Sequence, residues 1–318
     1  MDGLLSNVSS RKKWRFGSDN TELALLGLPV VAWFALFSYL PMFGVIIAFK
    51  RYRPLGANFL DSLLKSEWMG FDNFKFLFKT PDAFLIIRNT IMYNLAFIVT
   101  SILISVTLAV MISQLHSAKF AKTCQTMMFL PHFLSWVVVG YFVFAFLSAD
   151  KGLVNQILKS AGKKPVQWYT QAQYWPGLLI LVNTWKKMGY SMVVYLASIA
   201  GIDASLYEAA AIDGGTKWQQ IRHITLPLLT PIITIMFIMA VGQIFTSDFG
   251  LFYNVPRRSG TLYNLTQTID LYVYNALTQR NNIGFASAAS VTQSVVGLIT
   301  IVSANQLVRK LAPENSLF

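Results

Sequence analysis

Two adjacent lysines, Lys186 and Lys187, lie inside the apolar run from Pro176 to Ala200. Positive charge in such a run needs a partner or a wet cavity, because a lysine at the centre of a membrane helix costs about 3 kcal/mol on insertion scales. By a helical rise of ~1.5 Å per residue, the pair stands about a third of the way down from the outer face. Consecutive helical side chains diverge by about 100°, so at most one of the two points squarely into a pathway. The chemistry open to that one is electrostatic: it offers charge to an anionic solute crossing the membrane. Trp185 and Tyr190 would then supply stacking faces, and Asn183, Gln243 and Asp248 would be further polar groups along the path. The structural alternative is that the lysines snorkel to the outer headgroups or pair with Asp248 or another acid.

Other chemistry finds no support. His116, His132 and His223 fall in different segments, without a partner His or Cys at ligand spacing. His132, just after Pro131, reads as a packed or water-facing polar residue rather than a proton relay. The one cysteine, Cys124, sits in the short link before the third apolar run and has no partner for a disulfide. The chain has no Gly-x-x-x-x-Gly-Lys-Ser/Thr, so nothing here cradles a nucleotide phosphate. No convergent acid, base or nucleophile suggests a membrane enzyme. The expectation is a chain with no catalytic residue, metal, cofactor or nucleic-acid partner of its own.

The elements that must position these residues follow from composition. Of 318 residues, 54% are hydrophobic and only 13% charged, about half the charged share of a soluble domain. Crossing a bilayer core takes about 20 apolar helical residues, and six windows meet this: near Leu23–Phe49, Thr90–Ile112, Thr126–Ser148, Pro176–Ala200, Leu228–Phe249 and Ala286–Leu307. The runs are long and unalternating, which favours an all-α integral membrane protein surrounded by lipid over a barrel. Gly284, Ala286, Ser287, Ala288, Ala289 and Ser290 at the start of the sixth run read as close helix packing.

The first run is too long for a cleaved leader and lacks an Ala-x-Ala site, so residues 1–22 are expected to be a polar tail and 23–310 a single six-span domain. The basic cluster Arg11-Lys-Lys-Trp-Arg15 argues that this tail is cytoplasmic. Six spans then place the loop 201–227 and the tail 311–318 on the same side. A full count leans the other way, with ten lysines and arginines inside and thirteen outside. The outer segments, roughly 50–84, 150–175 and 250–283, are long enough for their charge to weigh less. Their surplus reads either as solvated loop charge or as attraction for an anionic solute or partner.

The loop 201–227 is a soluble island between apolar runs. Asp203 can cap a helix from Ala204 to about Ile212. Gly214-Gly215 breaks it, and Thr216-x-x-Gln219 has the form of a capping box that starts a second short helix at Lys217. That helix is expected to run towards Thr225 and stop at Pro227 and Pro231. Ala209, Ala210 and Ala211 give the first helix a small-residue surface flanked by Glu208 and Asp213. Such a surface suits docking by another protein; the alternative is a loop lying on the membrane.

Glu208-Ala209-Ala210, then Gly214, then Ile224-Thr-Leu226-Pro227 resembles the EAA loop of the membrane subunits of binding-protein-dependent ABC importers. Gly215 stands where such loops more often have Ala, and Ile221 where an aromatic is frequent. The likeness extends over most of residues 23–310. It is nearest to the carbohydrate branch through Trp185-x-x-Met-Gly189-Tyr-x-Met-Val-Val-Tyr195 and Leu262-Tyr-Asn-Leu-Thr-Gln-Thr-Ile-Asp270-Leu-Tyr272-Val-Tyr274, and within it to importers of uronate polymers such as alginate. The resemblance implies the type I permease fold in a bacterial inner membrane and transport of an oligosaccharide by alternating access. It implies that the first loop helix, with Glu208, Ala209, Ala210, Asp213 and Gly214, is the coupling helix. It also implies partners: a second homologous permease, two ATP-binding subunits that use ATP and Mg, and an extracytoplasmic solute-binding protein. Two other classes compete on the residues alone. An ion-gradient transporter would need intramembrane acids on broken helices, and only Asp248 lies near a span interior. A non-transporting scaffold would have no need of polar residues in the fourth run.

Overall fold

The computed structural model describes residues 18–54, 58–75 and 82–317; the basic cluster Arg11–Arg15 and most of the expected N-terminal tail lie outside them. Four helices are long and apolar enough to cross a membrane alone: Glu22–Phe49, Ala83–Ser113, Lys217–Gly242 and Ile283–Leu311. Six crossings are reached when each of two bent pairs counts as one span, Ala118–Phe133 with Trp136–Leu147 and Ala172–Ala200 with Ala204–Ile212.

The second and fourth spans run side by side in the same direction. Thr184 and Thr100 share a hydroxyl hydrogen bond of 3.1 Å, and the Ser105 hydroxyl donates to the Met188 carbonyl at 3.2 Å. Further along, Ala109 and Ile112 pack against Met192 and Tyr195. This register puts Ala83 at the end of the bundle opposite Ala200 and the loop that follows it. At the Ala83 end the core is aromatic: Tyr93, Phe97, Trp175 and Phe252 are buried together with Leu179, Leu251 and Leu262. A bundle in lipid has no solvent to drive its helices together, so packing and hydrogen bonds between them carry the association.

Four expectations need correction. The third run is not a straight span: it bends by 102° between Phe133 and Trp136. Ser135 caps the second half, its hydroxyl accepting from the Val138 amide at 3.3 Å. Cys124 lies in the helix Ala118–Phe129 rather than in a link, packed against the second and fourth spans. Pro227 and Pro231 do not end the second loop helix, which continues from Lys217 to Gly242 as the fifth span. A wider turn over Ile221–Thr225 makes this possible. There the Leu226 amide donates to the Ile221 carbonyl five residues back, and the extra residue makes room for the Pro227 ring. Finally, the fifth span stops at Gly242 instead of reaching Phe249, so Gln243 and Asp248 lie in the turn after it.

The far ends are tied down. The Asn305 side chain accepts from the Leu317 amide at 2.7 Å, folding the C-terminal residues back onto the sixth span. In the segment 150–175, buried Asn155 donates to the carbonyls of Ser148, Ala149 and Val166 and accepts from the Val166 amide and the Trp168 indole.

Candidate functional site

Asn183 and Lys187 are one helical turn apart on the fourth span and share a face. Opposite them, Asn94, Phe97, Ile98 and Ser101 form one face of the second span. The fifth span closes the space with Ala240, and the turn beyond it with Gln243, Thr246, Ser247 and Asp248. The cavity between them is open on one side and about 300 Å³ in volume. Lys187 Nζ meets Asp248 Oδ2 at 3.0 Å, with the lysine side chain 46% exposed and the aspartate 24%. An ion pair this open contributes little to stability. Asn183 is buried, and its Oδ1 has no hydrogen-bond partner.

The turn carrying Asp248 is held from three sides. Asn94 Nδ2 donates to the carbonyls of Ile244 at 2.8 Å and Thr246 at 3.0 Å. Asp270 Oδ2 accepts from the Ser247 amide at 2.5 Å and from its hydroxyl at 2.8 Å. Gln293 Nε2, on the sixth span, reaches Asp270 at 3.2 Å and the Phe245 carbonyl at 2.8 Å. Freed from capping the helix Phe249–Asn254, the Asp248 carboxylate is available to Lys187.

Lys186 has a different surrounding. It is 8% exposed and donates to the His132 carbonyl at 2.8 Å, a group set free by the bend in the third span. Its ammonium lies 5.2 Å from the centre of the Trp136 ring. Tyr190 stacks on His132 with centroids 5.0 Å apart, and Trp185 lines a separate apolar hollow with Val139, Phe142, Val143, Phe146, Leu181 and Val182. Of the seven path candidates, then, Asn183, Lys187, Gln243 and Asp248 share one cavity, and Lys186, Trp185 and Tyr190 stand outside it. Asn94, Ser101 and Ser247 complete the cavity and were missed. Asn94 carried a signal, since an amide inside an apolar span is costly unless it has a task.

At the other end of the bundle, the loop builds a helical foot. Asp203 Oδ1 accepts from the Ser205 amide at 2.9 Å, and this bond holds its carboxyl below the usual carboxylate range. The helix Ala204–Ile212 ends at Gly214, whose φ of +79° suits glycine above other residues. Thr216 and Gln219 form the reciprocal capping box that starts the fifth span. Tyr207 and Thr225 share a hydroxyl hydrogen bond of 2.9 Å, tying the foot to the base of that span. Glu208, Ala209, Asp213 and Gly214 are exposed and Ala210 is half-buried, and beside them Ile212 is 87% exposed.

Residues 105–313, which include the foot and most of the cavity, match the family described as the binding-protein-dependent transport system inner membrane component. The chain belongs to this family. It is a multi-pass inner-membrane permease, a component of a transport system. The polygalacturonan/rhamnogalacturonan transport system permease YteP of Bacillus subtilis (strain 168) is 34% identical over 92% of this chain and 89% of its own length. The protein LplB of the same organism is 32% identical over 96% of this chain and 91% of its own. A chain in the crystal structure of a bacterial ABC transporter involved in the import of the acidic polysaccharide alginate superimposes with a TM-score of 0.82. It shares 32% identity over 92% of this permease and 97% of that chain. A second structure shows a bacterial alginate ABC transporter in complex with a pentasaccharide-bound periplasmic protein, with a TM-score of 0.81.

Proposed function

We propose that this permease forms part of the path for an acidic oligosaccharide, delivered by a solute-binding protein and moved by alternating access. The observation that carries the reading is the lysine–aspartate pair open to a polar cavity within the span bundle. A carboxylate on the cargo competes with Asp248 for Lys187, and the unpartnered Asn183 oxygen accepts from a sugar hydroxyl. Relatives named for polygalacturonan and for alginate support the same charge logic. Lys186, Trp185 and Tyr190 act around the cavity, through the bend and the packing of the third span.

In this reading the loop 201–227 and both tails, 1–22 and 311–318, face the cytoplasm. A second permease completes the path, and two ATP-binding subunits hydrolyse ATP with Mg. The helix with Glu208, Ala209, Ala210, Asp213 and Gly214 seats in a cleft of one of them. Movement of that subunit pulls the foot, and the foot moves the fifth span because the Tyr207–Thr225 hydrogen bond ties it to the base of that span.

Uptake of a uronate oligosaccharide and of its carboxyl-reduced, neutral counterpart tests the cavity. Lys187→Met is expected to slow the acidic sugar about tenfold, the loss of one charge-assisted hydrogen bond, and to spare the neutral one. Equal rates for both sugars before and after the change would remove Lys187 from the path. For the foot, Gly214→Val is expected to abolish uptake and solute-stimulated ATP hydrolysis with the complex still assembled; unchanged uptake overturns its coupling role.

A further inference from the structure

At the Ala83 end of the bundle, away from the foot, a second cavity of about 290 Å³ opens between the start of the second span and the segment Gly260–Arg280. Its lining includes Asp82, Arg258, Tyr263, Gln267, Asn275 and Gln279. Gln267 is only 6% exposed, and its Oε1 has no hydrogen-bond partner; neither has the buried Oδ1 of Asn275. The Gln267 backbone is fixed, because its carbonyl accepts from Asn89 Nδ2 at 2.9 Å. Buried acceptors left without a donor are uncommon and point to a missing group.

Arg258 stands at the rim with its backbone in the left-handed region, φ +54°, next to Arg257 at +53°. Arg257 is occupied, its guanidinium 4.0 Å from the centre of the Phe144 ring. Arg258 lies 5.4 Å from the Tyr253 ring and forms no ion pair among the described residues. The Asp82 carboxylate accepts from the Tyr263 hydroxyl at 3.4 Å.

We propose that this cavity is a saccharide subsite that receives one sugar-acid unit before it enters the membrane. Two amide oxygens call for hydrogen-bond donors, which sugar hydroxyls supply. The guanidinium calls for an anion, which the ring carboxylate supplies in a bidentate geometry. An inorganic anion such as sulfate or phosphate answers only the second demand, because it brings acceptors to a site already short of donors. An ammonium answers the first and is repelled by Arg258. The volume stands at the low end for small-molecule sites, about one ring rather than a chain. The subsite rests on the acidic-cargo reading.

The test is equilibrium binding of a uronate trisaccharide and its carboxyl-reduced counterpart to the whole importer in nanodiscs, without the binding protein. Saturable uronate binding is expected. It should weaken about tenfold in Arg258→Gln, with the neutral sugar unaffected, and about fivefold for both sugars in Gln267→Leu. No binding by the unsubstituted importer overturns the subsite, as does unchanged affinity in both variants. Unchanged sugar affinity together with weakened docking of the binding protein also overturns it and makes the cavity a protein contact. Uptake preference separates this from the reading on which it rests. Preference for the uronate without cavity binding removes the subsite alone; Gln267-dependent binding of the neutral sugar without uptake preference removes the acidic cargo and the Arg258 assignment.

Discussion

The third and fifth spans both carry proline, and they fold in opposite ways. Shortly after Pro131 the first half of the third span ends at Phe133, and the chain turns by 102° before continuing at Trp136. At Pro227 and Pro231 the fifth span runs on as one helix from Lys217 to Gly242. The proline itself does not decide the outcome; the fate of the backbone groups around it does. In the third span, the carbonyl left behind is taken by Lys186 from a neighbouring helix, and Ser135 caps the new start. In the fifth, one extra residue in the turn Ile221–Thr225 absorbs the ring within the same helix. The first arrangement is tertiary and the second is local.

Five substitutions probe that contrast, beginning with the largest expected effect. Gly189→Val should be the most damaging, since a Cβ at that position would collide with the Met128 carbonyl oxygen on the first half of the bent span. Overpacking of this kind costs about 3 kcal/mol or more, and little protein should survive detergent extraction as a monodisperse peak. Lys186→Met leaves the His132 carbonyl without its donor and should lower stability by about 1–3 kcal/mol in a thermal melt. The neighbouring Lys187→Met, which removes a half-exposed ion pair, should shift the same melt by less than about 1 kcal/mol. Ser135→Ala should cost about 1 kcal/mol by losing a cap. Pro227→Ala should change stability by less than about 1 kcal/mol, through the freedom of the unfolded chain. If Pro227→Ala proved more harmful than Ser135→Ala, the distinction between tertiary and local accommodation would fail.

The same distinction explains what could be read from the chain beforehand. The foot was legible residue by residue, because Asp203, Gly214 and the Thr216–Gln219 box act on their own neighbours within a few positions. The apolar runs were legible because length and composition are local sums. The bend at Leu134–Ser135 was not, since it depends on a lysine about fifty residues downstream in sequence. For the lysine pair, helical geometry allowed at most one side chain to face a given space, but only the packing of the second and fifth spans against the fourth puts Lys187 at the cavity. Gln243 and Asp248 were recognised as polar lining groups, yet placed on a helix that ends before them, because the helix terminates through contacts with Asn94, Asp270 and Gln293.

The Lys187–Asp248 pair has a consequence for transport across an energised membrane. Moving one elementary charge through the bilayer against 100 mV takes about 2.3 kcal/mol. A lysine alone in the cavity would carry that load each time the empty permease changes sides, whereas a lysine and an aspartate 3.0 Å apart carry none. The empty return step is therefore expected to be insensitive to membrane voltage. Cargo that displaces Asp248 adds its own negative charge to the moving unit, so voltage dependence should appear only when an acidic sugar is aboard.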